Sequence, residues 1–263
     1  MELRFYQIDA FTDTLFKGNP ACVVPLERWL PDAILLKIAQ ENAVPETAFF
    51  VEEEASFHLR WFTPTVEVDL CGHATLATSH ILWETGHVDE KEPCVFDSKS
   101  GELRAQRIAD QIQLDFPISP VSEKAAPSGL LEALGVPVQF VGMSQFDYLV
   151  EVDSVATLRA ITPDMQSLIN LGSRGVIVTC RDETGEFDFV SRFFAPAVGV
   201  DEDPVTGSAH CALGHYWMEK LQKNCLNAWQ ASPRGGGMQV SVEGDRVRLL
   251  GQAITIFRGE LCC

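Results

Sequence analysis

The chain contains an internal repeat, and this feature constrains its fold more than any other. Residues 57–69 read FHLRWFTPTVEVD and residues 189–201 read FVSRFFAPAVGVD, a match at an offset of 132 positions. Seven of these thirteen positions are identical, more than the composition of the chain would produce by chance. A repeat of this length predicts two similar halves rather than one continuous domain.

The match continues into a glycine-containing segment, in a shifted register. CGHATLATSH at residues 71–80 aligns with TGSAHCALGH at residues 206–215 at an offset of 135 positions. The shift requires an insertion, which the alignment places at Glu202-Asp203-Pro204. The segments after Gly72 and Gly207 are apolar or small on nearly every helical face, so each is predicted to be a helix buried inside its own sheet.

Strands and hairpins surround these two helices in the predicted arrangement. Residues 103–114 and 238–249 keep the offset of 135, and both predict a strand, a tight turn and a strand, with Asp110 and Asp245 at the turns. Alternating apolar and polar residues predict further strands at Arg4–Ala10, Gln111–Phe116, Gly185–Phe194 and Gln239–Glu243.

A division into two domains follows from the repeat. Phe116-Pro117-Ile118-Ser119-Pro120 is predicted to be the linker, because its two prolines close the last strand of the first half. The predicted domains are residues 1–118 and 119–263, with the last strand able to cross back to the first domain.

Composition excludes several classes of protein. Apolar residues make up 46% of the 263 positions, but no run approaches the ~20 residues that a membrane-spanning helix needs. We therefore expect a cytoplasmic protein with no membrane partner. The net charge of −17, without a basic patch, argues against nucleic-acid binding. The eight cysteines form no CxxC pair and the histidines no HExxH motif, so no metal site is predicted.

The two repeated helix starts are the strongest candidates for a binding site. A helix N-terminus presents unpaired N–H groups and the positive end of its dipole, which together favour a carboxylate. If the halves face one cleft, both starts converge on one small anion. The residues predicted to bind it are Gly72, His73, Ala74, Gly207, Ser208 and Ala209. Asp203, within the inserted segment, points to a role on one side of the cleft only.

Four motifs then resemble a known family. They are DAFTDTLFKGNPACVV (9–24), ENAVPETAFF (41–50), DLCGHATLA (69–77) and DEDPVTGSAH (201–210). In combination they resemble the phenazine-biosynthesis PhzF-like family over essentially the whole chain. The resemblance implies an α+β fold of the diaminopimelate epimerase-like type: two pseudo-symmetric domains, each a barrel-like, mostly antiparallel β-sheet around a central α-helix. It also implies a homodimer that needs no cofactor.

The resemblance implies a mechanism as well. Glu46 matches the glutamate that acts as general acid/base in this family, and His73, Asp203 and Ser208 fall on further active-site positions. The expected activity is isomerisation of a small carboxylate-bearing substrate by proton relocation, with Glu46, His73 and Asp203 as catalytic residues. Such a glutamate needs its pKa raised by burial, and nearby aromatic residues are expected to cover it: Phe49, Phe50, Trp61 and Phe62.

Two alternatives remain open. Epimerases of this fold use two cysteines at the helix starts, and the corresponding residues here are Cys71 and Thr206. Threonine is too weak an acid to be the second base, so Cys71 leaves open a racemase, an epimerase or a one-base dehydratase. The other alternative is a non-catalytic small-molecule binding or interaction protein of the same fold, which would have no need of a general base.

Overall fold

Two compact units make up the structure, a computed structural model that describes residues 2–262. The first unit comprises the chain up to Phe116 together with the residues from Leu249 onward, and the second comprises Pro117–Arg248. Both are α+β. Within the described part of the chain, no helix has the length and apolar character to cross a membrane.

The first unit contains two helices and nine strands among the described residues. In chain order they are β1 (Glu2–Ala10), β2 (Asn19–Leu26), α1 (Asp32–Asn42), β3 (Glu46–Glu52), β4 (Phe57–Phe62), β5 (Glu67–Val68), α2 (Gly72–Glu84), β6 (Cys94–Ser98), β7 (Gly101–Ile108), β8 (Gln111–Pro117) and, from the end of the chain, β18 (Ala253–Cys262).

The second unit repeats this order with additional short helices. Its elements are β9 (Ser122–Glu123), α3 (Leu130–Leu134), β10 (Phe140–Met143), β11 (Asp147–Glu151), α4 (Val155–Ala160), α5 (Met165–Ile169), β12 (Gly175–Arg181), β13 (Phe189–Ala195), a 3₁₀ turn (Pro196–Val198), β14 (Val200–Asp203), α6 (Gly207–Leu221), β15 (Cys225–Gln230), β16 (Gly236–Glu243) and β17 (Arg246–Gly251).

The strand pairings are the same in both units. In the first, β18, β1 and β2 are antiparallel neighbours, β3 runs parallel to β2, and β4 pairs antiparallel with β3 and β5 and parallel with β6. In the second, β9 to β15 reproduce each of these pairings in turn. β6 with β7 and β15 with β16 complete the match. The repeat in the sequence is therefore a repeat of topology.

The two long helices are buried, as their apolar and small residues predict. In α2 nearly every residue from Gly72 to Trp83 is buried, and the helix packs against β1, β2 and β3. In α6 the residues Ala209–Gly214 are buried against β15 and β16. A Cβ at Gly214 would lie 2.8 Å from a methyl group of Val240, so glycine permits the close approach of helix and sheet.

An arginine-carboxylate pair recurs in the two units and fixes the alignment of their two sequences. Arg60 binds Glu67 through two hydrogen bonds of 2.7 and 2.9 Å. Arg192 binds Glu202 in the same way, also at 2.7 and 2.9 Å. The offset has thus already shifted before Glu202. The extra residues therefore lie between Ala195 and Glu202, in the segment that contains the 3₁₀ turn, and the predicted placement at residues 202–204 is wrong.

The corrected alignment gives Asp203 a counterpart. Val68 lies opposite Trp61 in the sheet of the first unit, and Asp203 lies opposite Phe193 in the second. Because Trp61 and Phe193 are matched by the repeat, Asp203 replaces Val68 rather than being inserted. The second unit therefore carries a carboxylate at a position that is apolar in the first.

The predicted strands and hairpins are largely confirmed. Ile108 pairs with Gln111 across the turn Ala109-Asp110, and a two-residue turn at Gly244-Asp245 separates β16 from β17. The strand predicted at Gly185–Phe194 is correct only from Phe189 onward. Its first residues form a turn instead, because the Asp182 carboxylate accepts hydrogen bonds from the N–H groups of Thr184 and Phe187.

Candidate functional site

Glu46 is the first residue of β3, where the chain leaves α1. The helix ends at Asn42 and is capped by Ala43, which adopts a left-handed conformation (φ 51°), and Pro45 then precedes the strand. Parallel pairing sets Glu46 opposite Ala21 of β2. Its side chain is 15% exposed, and its Oε2 lies 3.2 Å from Nε2 of His73.

His73 is the second residue of α2 and is almost completely buried. Burial lowers the pKa of His73 to about 3, although a hydrogen bond to the backbone of Pro20 opposes the shift. The ring is therefore neutral near pH 7 and carries one proton on one of its two nitrogens. Its Nδ1 lies 3.2 Å from Nδ2 of Asn19 and 3.5 Å from Sγ of Cys71.

Cys71 occupies the N-cap of α2 in an extended conformation, with its thiol making no capping hydrogen bond. The thiol, an imidazole nitrogen of His73 and a carboxylate oxygen of Glu46 all lie within 4.8 Å of one another. Sulfur, nitrogen and oxygen donors at this spacing could also hold an ion such as zinc. The three side chains therefore form a candidate metal site as well as a candidate acid/base site.

The second unit has its own polar cluster at the start of α6. The hydroxyl of Thr206, the N-cap residue, donates a 2.5 Å hydrogen bond to Oδ2 of Asp203. Gln230 of β15 forms hydrogen bonds with both residues. Its Oε1 accepts from the Thr206 N–H at 2.9 Å, and its Nε2 donates to the Asp203 carbonyl at 2.7 Å. All three side chains are buried.

The helix starts themselves are alike in the two units. Cys71 and Thr206 are both N-caps with extended backbones, and the glycine, the polar residue and the alanine that follow begin the helix in each case. Gly72, Ala74, Gly207 and Ala209 are buried, whereas Ser208 is partly exposed. The hydroxyl of Thr206 is bound to a carboxylate, and the thiol of Cys71 is next to an imidazole.

Glu46 has no carboxylate counterpart in the second unit. Thr47 lies opposite Phe62 and Val176 lies opposite Phe194, so the residue matched to Glu46 is Gly175. A Cβ at Gly175 would lie 2.6 Å from the Phe193 ring and 2.7 Å from the Phe194 carbonyl oxygen. The second unit has no room for a side chain there. Opposite Gly175 stands Asp147, which is paired with Arg174.

The four aromatic residues expected to cover Glu46 are divided between the two faces of the sheet. Side chains alternate between the faces of a strand, and Glu46 is on the same face of β3 as Phe50, with Trp61 beside this face on β4. Phe49 and Phe62 are on the other face, in a cluster with Leu35 and Ile38 of α1. These two phenylalanines stabilise the sheet and do not cover the carboxylate.

The structure brings Glu46, Cys71 and His73 together within the first unit, and Asp203, Thr206 and Ser208 within a few residues in the second. Sequence reasoning missed Asn19 and Gln230. Asn19 lies in the first of the four motifs that resemble the family, and this was the only feature of the sequence that could have identified it as a site residue. Gln230 is distant in sequence from every motif, so nothing in the sequence identifies it.

Comparison with known proteins gives a consistent result. The family model for phenazine biosynthesis-like protein matches residues 8–259. An uncharacterized isomerase of Halalkalibacterium halodurans is 49% identical over 264 residues, 99% of each chain. A crystal structure of a phenazine biosynthesis protein of the PhzF family from Enterococcus faecalis superimposes with a TM-score of 0.94 at 41% identity over 100% of both chains.

A more remote neighbour supports the type of fold alone. The crystal structure of a hydroxyproline epimerase from Agrobacterium vitis has a TM-score of 0.66 at 11% identity, covering 99% of this chain and 92% of that one. The α+β fold is thus the diaminopimelate epimerase-like fold that the motifs imply.

Proposed function

Because the chain belongs to the phenazine biosynthesis-like (PhzF) family, we propose that it is an isomerase that relocates a proton on a small carboxylate-bearing metabolite. Related proteins named as isomerases support the reaction class. One observation carries the proposal: the Glu46 carboxylate lies 3.2 Å from the buried His73 ring. A partly buried carboxylate beside a neutral imidazole is suited to accept and return a proton.

The proposed reaction uses Glu46 for both proton transfers. Its carboxylate removes a proton from a carbon next to an unsaturated or carboxyl-stabilised centre, and the C–H electron pair moves into the conjugated system. The same carboxyl group then gives the proton to a different carbon of the same molecule. The atoms and electrons balance without an oxidant or a second substrate.

The remaining residues hold the substrate in this proposal. The N–H groups at the starts of α2 and α6, with the Ser208 hydroxyl, bind the substrate carboxylate. His73 and Asp203 polarise its polar substituent and stabilise charge that develops during the proton transfer. Asp203 is suited to a fixed role, because Thr206 and Gln230 hold its side chain and backbone. The active protein is proposed to be a homodimer, which sedimentation equilibrium tests.

A racemase or epimerase that uses Cys71 is the second candidate, and the 3.5 Å separation of its Sγ from His73 Nδ1 favours it. Racemisation by two bases needs a second acid opposite the thiol. Thr206 corresponds to Cys71, and its hydroxyl is a much weaker acid. A one-base reaction at Cys71 is therefore the form that this candidate takes.

The test begins with a thermal-shift screen of unsaturated, amino and hydroxy acids, because a ligand that binds the folded state raises Tm. Each acid that stabilises the protein is then incubated with it in D₂O and followed by NMR. An isomerase gives a product with a shifted double bond and deuterium at the new C–H. Inversion at one carbon with an unchanged skeleton identifies an epimerase instead. Binding without either change supports the non-catalytic alternative and contradicts the proposal.

A metal control accompanies this assay. The enzyme is dialysed against EDTA and assayed with and without added zinc. If Glu46 acts as a free carboxylate base, activity survives EDTA and falls when zinc occupies the Glu46–Cys71–His73 cluster. Activity that is lost with EDTA and restored by zinc would overturn the metal-free mechanism.

A further inference from the structure

A cleft opens in the first unit where two neighbouring strands separate, and both strands line it. The pairing of β1 with β2 ends where Tyr6 lies opposite Val23. Beyond this point β1 continues beside β18, and β2 continues beside β3. Pro25, two residues after Val23, has no N–H group with which to extend a ladder. The cleft has a volume of about 730 Å³, which is in the range of pockets that hold small molecules.

The cleft lies at the opposite end of β3 from Glu46. Glu46 is the first residue of this strand, and Glu52, which lines the cleft, is the last. Six steps of ~3.3 Å along a strand separate the two residues by ~20 Å. His87, which also lines the cleft, lies beyond the last residue of α2, whereas His73 lies at the start of that helix. A small molecule in the cleft therefore does not reach the candidate acid/base site.

Three residues on one face of the sheet form a wall of the cleft: Tyr6, Pro25 and Phe50. Val23 lies opposite Tyr6 and is on the same face of β2 as Pro25. Pro25 in turn lies opposite Phe50 of β3. Tyr6 is 7% exposed, and its hydroxyl forms no hydrogen bond with the part of the chain that the structure describes. Because buried phenol groups are usually hydrogen-bonded, this hydroxyl is available to a ligand in the cleft.

Charged side chains of both signs surround this wall, namely Glu2, Arg4, Glu27, Arg28 and Glu52. None of the five forms an ion pair or a side-chain hydrogen bond within residues 2–262. Glu27 and Glu52 follow directly after the paired ends of β2 and β3, so their two carboxylates are neighbours. Like charges at neighbouring positions of a sheet are destabilising. A cationic group between them would remove this repulsion.

The mixture of charges limits the ligands that the cleft can take. The two arginines disfavour a metal cation, and the three carboxylates disfavour a simple anion such as phosphate. A zwitterion fits, because each of its charges finds an opposite charge beside the same wall. The size of the cleft and the ring of Phe50 favour a zwitterion that also has an apolar part.

We propose that the cleft is a second binding site, which takes a free α-amino acid with an apolar side chain. The ammonium group of the ligand bridges the carboxylates of Glu27 and Glu52, and the ligand carboxylate binds the guanidinium group of Arg4. The Tyr6 hydroxyl donates a further hydrogen bond to that carboxylate, and the apolar side chain packs against Phe50. This site does not depend on the proposed function, because it lies at the other end of β3.

Binding is measured by titrating ¹⁵N-labelled wild-type protein at pH 7 with four related probes and following the amide chemical shifts. L-Phenylalanine carries both charges, 3-phenylpropionate only the carboxylate, phenethylamine only the ammonium group, and N-acetyl-L-phenylalanine amide neither. We expect the affinity for L-phenylalanine to exceed that for each other probe by at least ~10-fold, because each lost charged contact is worth a factor of this order. Equal affinities, or no saturable binding of L-phenylalanine up to ~20 mM, overturn the proposal.

Variants then locate the site. Arg4→Gln and Glu27→Gln are expected to weaken the binding of L-phenylalanine by about tenfold. Arg4→Gln leaves the binding of phenethylamine unchanged, because this probe has no carboxylate. Arg104→Gln is the matched control, since this exposed arginine of β7 is paired with Glu102 and does not line the cleft. It is expected to bind L-phenylalanine as wild type does.

The same titration distinguishes the cleft from the candidate acid/base site. Glu46→Gln is expected to bind L-phenylalanine with the affinity of wild type, and matched Tm values show that each variant is folded. If binding is lost in Glu46→Gln and retained in Arg4→Gln and Glu27→Gln, the amino acid occupies the acid/base site and the proposal is wrong.

Discussion

Glu46 and Gly175 occupy the same position in the two units. The residues that follow them, Thr47 and Val176, lie opposite Phe62 and Phe194, which are matched by the repeat. In the first unit this position presents a carboxylate to His73. In the second it is closed by the Phe193 ring and the Phe194 carbonyl. The duplicated fold therefore carries a carboxylate at this position in the first unit only, as the proposed relocation of a proton by a single residue requires.

The closed position can be tested through stability. Gly175→Ala introduces a Cβ 2.7 Å from a backbone oxygen that cannot move aside easily, and we expect it to lower the free energy of unfolding by about 1–3 kcal/mol. Gly259→Ala is the matched control, because this strand glycine would place its Cβ 3.7 Å from Phe5, an ordinary contact. Urea denaturation compares them. Equal stability of both variants would show that the second unit has room for a side chain.

Acid lability is expected from the two buried histidines. Burial lowers the pKa of His73 to about 3 and that of His210 to about 4. Unfolded histidine takes up a proton below about pH 6.5, whereas the folded protein does not until far lower pH. The unfolded state therefore binds more protons in this window, and stability falls as the pH falls.

The size of this effect is about 1.4 kcal/mol per pH unit for each histidine, or about 2 kcal/mol each between pH 7 and pH 5. Urea denaturation at these two pH values measures it. His210→Gln lowers stability at both, but the difference between the two pH values should shrink by about 2 kcal/mol. An unchanged difference would mean that His210 is protonated in the folded protein.

Ser208 is proposed to bind the substrate carboxylate equally in the ground state and in the transition state. Removing such an interaction raises KM and leaves kcat nearly unchanged. We expect Ser208→Ala to raise KM about tenfold and Asp203→Asn to lower kcat instead. Steady-state kinetics on the acid found in the screen distinguish them. A parallel loss in kcat and kcat/KM for Ser208→Ala would place its hydroxyl in the transition state.

Much of the fold could be predicted from the sequence, because duplication makes each half evidence for the other. Identical residues at an offset of 132 predicted two matched units, and glycines at an offset of 135 located both helix starts. The insertion was misplaced because the identity of Asp69 and Asp201 extended the first offset too far. The ion pair of Arg192 with Glu202 and the pairing of Phe193 with Asp203 give the true register.

The site was harder to predict from the sequence than the fold, because its residues come together through strand pairing. Parallel pairing of β2 with β3 brings Glu46 close to His73, and periodicity alone does not set the register of a parallel pair. The aromatic residues close to Glu46 in the sequence were expected to cover its carboxylate. Side chains alternate along the strand, however, so Phe49 lies on the opposite face. Asn19 and Gln230 act through hydrogen bonds to distant residues, which no local pattern encodes.

The central claim is that Glu46 alone moves the proton, and solvent exchange tests it most directly. Wild type, Glu46→Gln and Cys71→Ser are incubated with the stabilising acid in D₂O, with matched Tm values as evidence of folding. The account predicts that Glu46→Gln loses at least ~10²-fold in the rate of deuterium incorporation and that Cys71→Ser stays within about threefold of wild type. Exchange that survives in Glu46→Gln and disappears in Cys71→Ser would contradict it and assign the chemistry to the thiol.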